Sequence, residues 1–177
     1  MNQDELNEYF STKWHSVIDQ YTHSGWAIVD KIQSNELVLD VGCGTNLFKS
    51  RILNLVGVDP AFDSADIKVP IEHFAADTAN HSRFDVALCL GSINFGDEIK
   101  IRNQIACVIS CLKPTARIYW RCNPGLADHD NKECKNIDFF PWTTQLLIDY
   151  AREFGFMCPL VTGDANDRIY AEWIRSA

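Results

Sequence analysis

The sequence predicts an α/β fold: a Rossmann-like, doubly wound, mostly parallel sheet of about seven strands with helices on both faces. Three observations predict it. Apolar runs of strand length alternate with segments whose apolar residues recur three and four apart. The run "FDVALCLG" is apolar on both faces, as a strand in the middle of a parallel sheet must be. And "VLDVGCGTNLFKSRILNLVGVDP", Val38 to Pro60, sets a Gly-x-Gly between two apolar stretches, the second of which ends on an acid.

Taken in order, Asp4 to Gln20 carries Leu6, Phe10, Trp14, Val17 and Ile18 at helical spacing and reads as one amphipathic helix. A second helix, from about Gly25 to Gln33, presents Trp26, Ile28, Val29 and Ile32. Residues 1–33 thus form a helical N-terminal region, a lid over a site or equally a core or oligomer face, and residues 36–177 the core of a single domain spanning 1–177. "ELVLDV" is the first strand, "NLFKSRIL" a brief helical piece, "LVGVD" the second strand and "IEHFAAD" a third, ending on Asp77. "FDVALCLG" follows as the fourth. "GDEIKIRNQIACVISCLKP" then has Ile101, Ile105, Val108, Ile109 and Leu112 on one helical face and stops before Pro114. "ARIYWRCN" is a strand, "WTTQLLIDYAREFG" a helix closed by Gly155, and "FMCPLVTGD" and "RIYAEWIR" the last strands.

Composition narrows the function classes. The chain has 177 residues, enough for one full core, and a formal net charge of −8. Phosphate backbones repel such a surface, and the closest basic pairs, Lys49 with Arg51 and Lys100 with Arg102, are diluted by nearby acids. A nucleic-acid partner is disfavoured. Seven cysteines, an odd number, behind a polar start "MNQDELNEYF" read as reduced thiols in a cytoplasmic compartment. No apolar run approaches the roughly 18 residues of a membrane span.

Ligands of a doubly wound sheet sit outside the carboxyl ends of its strands, at the switch point. That puts Gly42, Asp59, Asp77, Gly91 and Asn123 along one edge. Gly42 and Gly44 let backbone approach a ligand where a Cβ would collide. Asp59 ends the next strand 19 positions after Asp40, where an acid accepts from ribose hydroxyls. Leu47 stands where a dinucleotide fold wants its third glycine, so the turn suits a nucleoside without pyrophosphate. Asp40 would repel a phosphate and attract an ammonium. A ligand with a ribose, a cationic amino-acid tail and no phosphate is S-adenosylmethionine.

"VLDVGCGTN" resembles the first motif of class I S-adenosylmethionine-dependent methyltransferases, and "VGVDP" the acidic end of their second strand. "FDVALCLGSINFGD" is similar to their fourth-strand motif and "LKPTARIYWRCNPG" to their fifth-strand segment. The compact size and "LGSINFGD" also resemble small stand-alone methyltransferase-like proteins of tailed bacteriophages, which would place this chain in a host cytoplasm. The resemblance implies that Asp40 meets the methionine ammonium, Gly42 and Gly44 make room for the methionyl part, and Asp59 holds the ribose. It further implies Pro60 or Ala61 against adenine, Asp77 accepting from the adenine amino group, Thr78 at the ring, and Gly91 and Ser92 below the sulfonium. Thr45 and Ala116 stand where the family often has glycine.

For the acceptor, Asn94 in "GSINFG" offers a hydrogen bond or a plain turn. Arg121 and Asn123 end the fifth strand, where they would hold a carboxylate or phosphate; Arg121 also suits a salt bridge. His129, with Asp130 on a polar loop, is a general-base candidate. Trp14 would reach the substrate from the first helix. Cys122, His129 and Cys134 match no zinc spacing, so no metal is expected. The reading is methyl transfer from S-adenosylmethionine to a small molecule or protein side chain, in a chain that is also a possible homo-oligomer. Its rivals are a catalytically silent binding or scaffold protein of the same fold, a nucleic-acid methyltransferase and a nicotinamide-dependent oxidoreductase.

Overall fold

A computed structural model describes residues 2–125 and 137–175. Its strands are β1 (Val38–Val41), β2 (Leu55–Val58), β3 (Phe84–Leu90), β4 (Leu112–Cys122), β5 (Phe156–Asp164) and β6 (Arg168–Arg175). They form one sheet in the order β2-β1-β3-β4-β6-β5. The first four are parallel, while β6 runs antiparallel to both β4 and β5. From β1 the chain steps outward to β2, then returns to the other side of β1 as β3. The carboxyl ends of β1 and β3 are therefore where the winding reverses, and a crevice opens there.

Six strands stand among the described residues, where about seven were expected. The difference lies at Ile71–Ala76, which is a helix, α2, and not a strand. Pro70 is its N-cap, and Ile71, Phe74 and Ala75 turn one buried face inward. That spacing is helical, and only the shortness of the run let it pass for a strand. An outer strand is reduced to a single parallel bridge of Ile67 on Val58.

The N-terminal region differs too. Helix α1 spans Gln3–Thr12, started by a capping box in which Asn2 and Glu5 satisfy each other's backbone amides, and it ends well short of Gln20. Beyond it come two 3₁₀ turns, Ile18–Gln20 and Trp26–Lys31, in place of a second α-helix.

The two faces of the sheet are consequently clothed differently. Side chains alternate along each strand. Leu39, Val41, Ala87, Cys89, Ile118 and Trp120 meet α2, α3 (Glu98–Ser110) and α4 (Thr144–Glu153). Val38, Val86, Leu88 and Tyr119 meet Ile18, Ile28, Phe48 and Ile52, which come from 3₁₀ turns and loops. Asp97 caps α3 by accepting from Lys100 N, and Thr143 caps α4 by accepting from Leu146 N. Helix α1 packs separately, Leu6 meeting Ile137 with Phe10, Phe95 and Phe139 around them.

Candidate functional site

The carboxyl ends of the parallel strands open into a cavity of about 230 Å³. Its floor is the turn after β1. Gly42 (φ 67°) and Gly44 (φ 55°) are left-handed, a conformation glycine adopts without strain. Each is also crowded. A Cβ on Gly42 would collide with Cβ of Ser92 from the end of β3, and one on Gly44 would stand 3.2 Å from the Trp14 ring. Gly42 N donates to the Val58 carbonyl over 2.7 Å, which binds the turn to β2.

Asp59, at the end of β2, fixes the same turn from the other side. Its carboxylate is buried and accepts Gly44 N at 2.9 Å, Ala61 N at 2.7 Å and Phe62 N at 3.2 Å. A carboxylate offers about four lone-pair positions, so one remains, on Oδ2. Pro60 and Ala61 line the cavity beside it.

Asp40 is the opposite case. It is 3% exposed and lines the cavity, yet no hydrogen bond or ion pair joins its carboxylate to another described residue. Burial, and secondarily the neighbouring charge of Asp59, pushes its carboxyl up to about 7. A group in that position is stabilised by whatever brings it a positive charge. Gly91 and Ser92 line the cavity at the end of β3, and the buried Ser92 Oγ has no partner.

On the other side stand Asn94, Arg121 and Asn123, all three buried and lining the cavity. Asn94 Oδ1 accepts Asn123 N at 2.9 Å, tying the segment after β3 to the end of β4. The Asn94 carbonyl accepts Phe140 N at 2.8 Å. Trp14 also lines the cavity, but its ring lies over Gly44 and edge-on to Phe62, on the side of the glycine turn.

Asp77 and Thr78 do not join this group. Both are exposed and outside the cavity; Asp77 accepts Ala79 N at 3.0 Å and caps a 3₁₀ turn on the approach to the amino end of β3. The strand that would have carried Asp77 to the rim is helix α2. Of the three acids expected together, two are together. His129, with Asp130 and Cys134, lies outside the described residues. Cys122 is buried in the core, and burial pushes its thiol well up from its ordinary value.

Sequence reasoning missed several lining residues, four of them with long polar side chains from helices α2 and α3 and strand β6. Glu72 of α2 and Gln104 of α3 border the cavity together, Gln104 Nε2 donating to Glu72 Oε1 over 2.9 Å, with Gln104 Oε1 buried and unpartnered. Lys100 and Arg168 line it as well. Reading residues 71–76 as a helix would have found Glu72; nothing local marks Gln104, an amide on an otherwise ordinary helix.

No family model and no curated protein matches the chain. Solved structures match its fold. The 1,6-didemethyltoxoflavin-N1-methyltransferase of Burkholderia thailandensis, solved with 1,6-didemethyltoxoflavin and S-adenosylhomocysteine bound, superposes with a TM-score of 0.72 at 14% identity over 98% of this chain and 88% of its own. An S-adenosylmethionine-dependent methyltransferase of Thermotoga maritima gives 0.66 at 16% identity over 99% and 100%. A 16S rRNA adenine methyltransferase of Catenulisporales acidiphilia gives 0.58 at 16% identity over 86% and 90%. At these identities the likeness is one of fold: this chain has the Rossmann-like fold of S-adenosylmethionine-dependent methyltransferases.

Proposed function

We propose that the protein transfers a methyl group from S-adenosylmethionine to a small molecule or a protein side chain. The observation that carries the reading is Asp40. Leaving a buried carboxylate without a partner costs several kcal/mol, and no described residue repays it. An ammonium group does. The fold of the neighbours adds weight, as do the two left-handed glycines that line the cavity.

When bound, the donor supplies a methyl carbon made electrophilic by a sulfonium. In this reading Asp40 takes the donor's ammonium, Gly42 and Gly44 lie along its amino-acid tail, and Asp59 Oδ2 accepts from one ribose hydroxyl. Pro60 and Ala61 lie against the base. Gln104 Oε1 takes over the acceptor role that Asp77 and Thr78 are too far removed to fill. Gly91 and Ser92 border the sulfonium, while Asn94, Arg121 and Asn123 hold the acceptor. Methyl transfer is an in-line displacement, so alignment carries most of the acceleration. His129 remains the general-base candidate.

A pyrophosphate would face the Asp40 carboxylate, which weighs against a nicotinamide cofactor. A silent binding protein of the same fold is favoured by one observation: Asn94 Oδ1 is held by Asn123 N, and a side-chain amide is no general base. Nucleic acid is disfavoured by the net charge of −8. No described helix is long and apolar enough to cross a membrane, and the six described cysteines are all free, which supports the cytoplasm as its place. The kinship with phage proteins finds no counterpart among the neighbours above.

Calorimetry with S-adenosylmethionine, S-adenosylhomocysteine and NAD tests the reading. Binding of the first two without the third is expected; binding of NAD alone would overturn it. Transfer of labelled methyl to a component of a cell extract then separates the enzyme from the silent binder.

A further inference from the structure

We propose that the acceptor is a planar aromatic anion whose carboxylate or phosphate is gripped by the Arg121 guanidinium. The inference rests on the methyl-transfer reading and names its substrate class.

Arg121 is the penultimate residue of β4, 8% exposed, on the cavity wall. Its guanidinium lies 4.0 Å from the ring centroid of Tyr21, and Nη2 donates to the Ala165 carbonyl at 3.1 Å. The remaining donors are unused. Nε is buried with no hydrogen-bond partner among the described residues, and Nη1 donates to none of them. Asp164 forms a buried ion pair with Nε at 3.7 Å, the salt bridge the sequence suggested, but one too long for a hydrogen bond.

Asp164 is committed elsewhere. Its two oxygens accept the amides of Thr22, His23, Ser24 and Ala165 and the Ser24 hydroxyl. Burial works to raise this carboxyl, but the Ser24 hydroxyl and those amides outweigh it and hold the group below its ordinary range. The charge is present, yet its lone pairs are spent on anchoring residues 22–24. Arg121 therefore keeps N–H donors that no described hydrogen bond takes, in a site sheltered from water, the chemistry that suits a two-oxygen anion.

Two more donors point the same way. Asn94 and Asn123 each accept a backbone amide through Oδ1, from Asn123 N and Gly125 N respectively, which fixes the orientation of both side chains. Their amide nitrogens have no described partner. This end of the cavity thus presents three side chains with N–H donors that no described residue takes. At the other end stand Asp40, Asp59 and Glu72. An anion held by the free N–H donors of Arg121 would also face a cationic donor seated there. The flat partner follows from the lining: Phe10, Phe95, Phe139 and Tyr21 supply ring faces that suit another ring.

The test is calorimetry on the full chain, free and saturated with S-adenosylhomocysteine, titrated with benzoate, phenyl phosphate and neutral benzamide. At least one anion should bind tenfold or more tighter than benzamide, benzoate leading if the natural group is a carboxylate and phenyl phosphate if it is a phosphate. Arg121→Gln should erase that preference while S-adenosylhomocysteine affinity stays within twofold. Equal binding of benzamide, no binding of either anion, or a preference that survives Arg121→Gln overturns the proposal. Should the variant not fold, arginine-selective ¹⁵N spectra of the wild type decide: benzoate must shift one guanidinium, and an unmoved spectrum overturns it. Failure of S-adenosylhomocysteine to bind is a separate result, against the methyl-transfer reading, and leaves the benzoate-to-benzamide ratio of the free protein to be read.

Discussion

Replacing Asp40 by asparagine should raise the stability of the free protein and weaken its ligand, with both effects governed by pH. The folded carboxyl sits at about 7 against an ordinary 3.8, a gap of roughly three pH units, and each unit is worth about 1.4 kcal/mol. Below pH 3.8 the group is neutral folded or unfolded and costs nothing. As pH rises, the unfolded chain ionises first, and the folded state loses stability until about pH 7, where the loss levels off near ~4 kcal/mol. The substitution abolishes that slope but buries an amide, which returns about 1–3 kcal/mol. Asp40→Asn should therefore gain about 1–3 kcal/mol at pH 8, roughly 2–12 °C in melting temperature for a chain of this size, and lose about 1–3 kcal/mol at pH 4, where the wild-type carboxyl costs almost nothing. Ligand binding moves the other way. Wild-type affinity for S-adenosylhomocysteine should fall about tenfold per unit below pH 7, and the variant should bind weakly with no such slope. Urea melts and calorimetry between pH 4 and 8 read both quantities. Parallel stability curves for the two proteins would show that Asp40 already has a partner, and the cofactor assignment would lose its main support.

Other outcomes follow from the same geometry. Asp59→Ala strands the amides of Gly44, Ala61 and Phe62 and removes the last acceptor position, so roughly 3 kcal/mol of stability and at least about 1.5 kcal/mol of S-adenosylhomocysteine affinity should go, read by denaturation and calorimetry. Gly42→Ala meets Ser92 Cβ at a positive φ; adding Ser92→Gly should recover part of the lost stability but not the share due to backbone strain, as a double-mutant cycle will show. Asp77→Ala should leave S-adenosylhomocysteine affinity unchanged and cost about 1 kcal/mol for a lost cap, whereas Gln104→Leu should weaken the ligand. Asp164→Ala should expose the segment 22–24 to hydrogen exchange, because its three amides and the Ser24 hydroxyl lose their acceptor.

The parts legible in the sequence were those whose signal is local. Gly42, Gly44 and Asp59 lie within 18 residues of one another, and their roles follow from turn chemistry and from the carboxyl end of a strand. The parallel core β1, β2, β3 and β4 was legible for the same reason: each strand is a short apolar run between turn residues. Asp77 went astray because Ile71–Ala76 is too short for its period to be decisive, and the strand reading carried the acid to the wrong rim. Gln104 and Arg168 were invisible, since only tertiary packing brings them to the cavity. Helix α1 ended early because the positions after Thr12, Lys13 to Ser16, continue a helical apolar spacing only through Trp14, and that ring is drawn away to Gly44.

Gly57, in the middle of β2, ties two stretches of chain to a common history. A Cβ there would stand 2.6 Å from Asn46 Oδ1 and 2.8 Å from Cys43 Sγ, both in the turn after β1. A mutation that gives position 57 a side chain must push the tips of Asn46 and Cys43 aside, or come with smaller residues at 43 and 46. Leu55 and Val58 are held by the core, and across the contact at Gly57 descendants of this sequence are expected to change in concert.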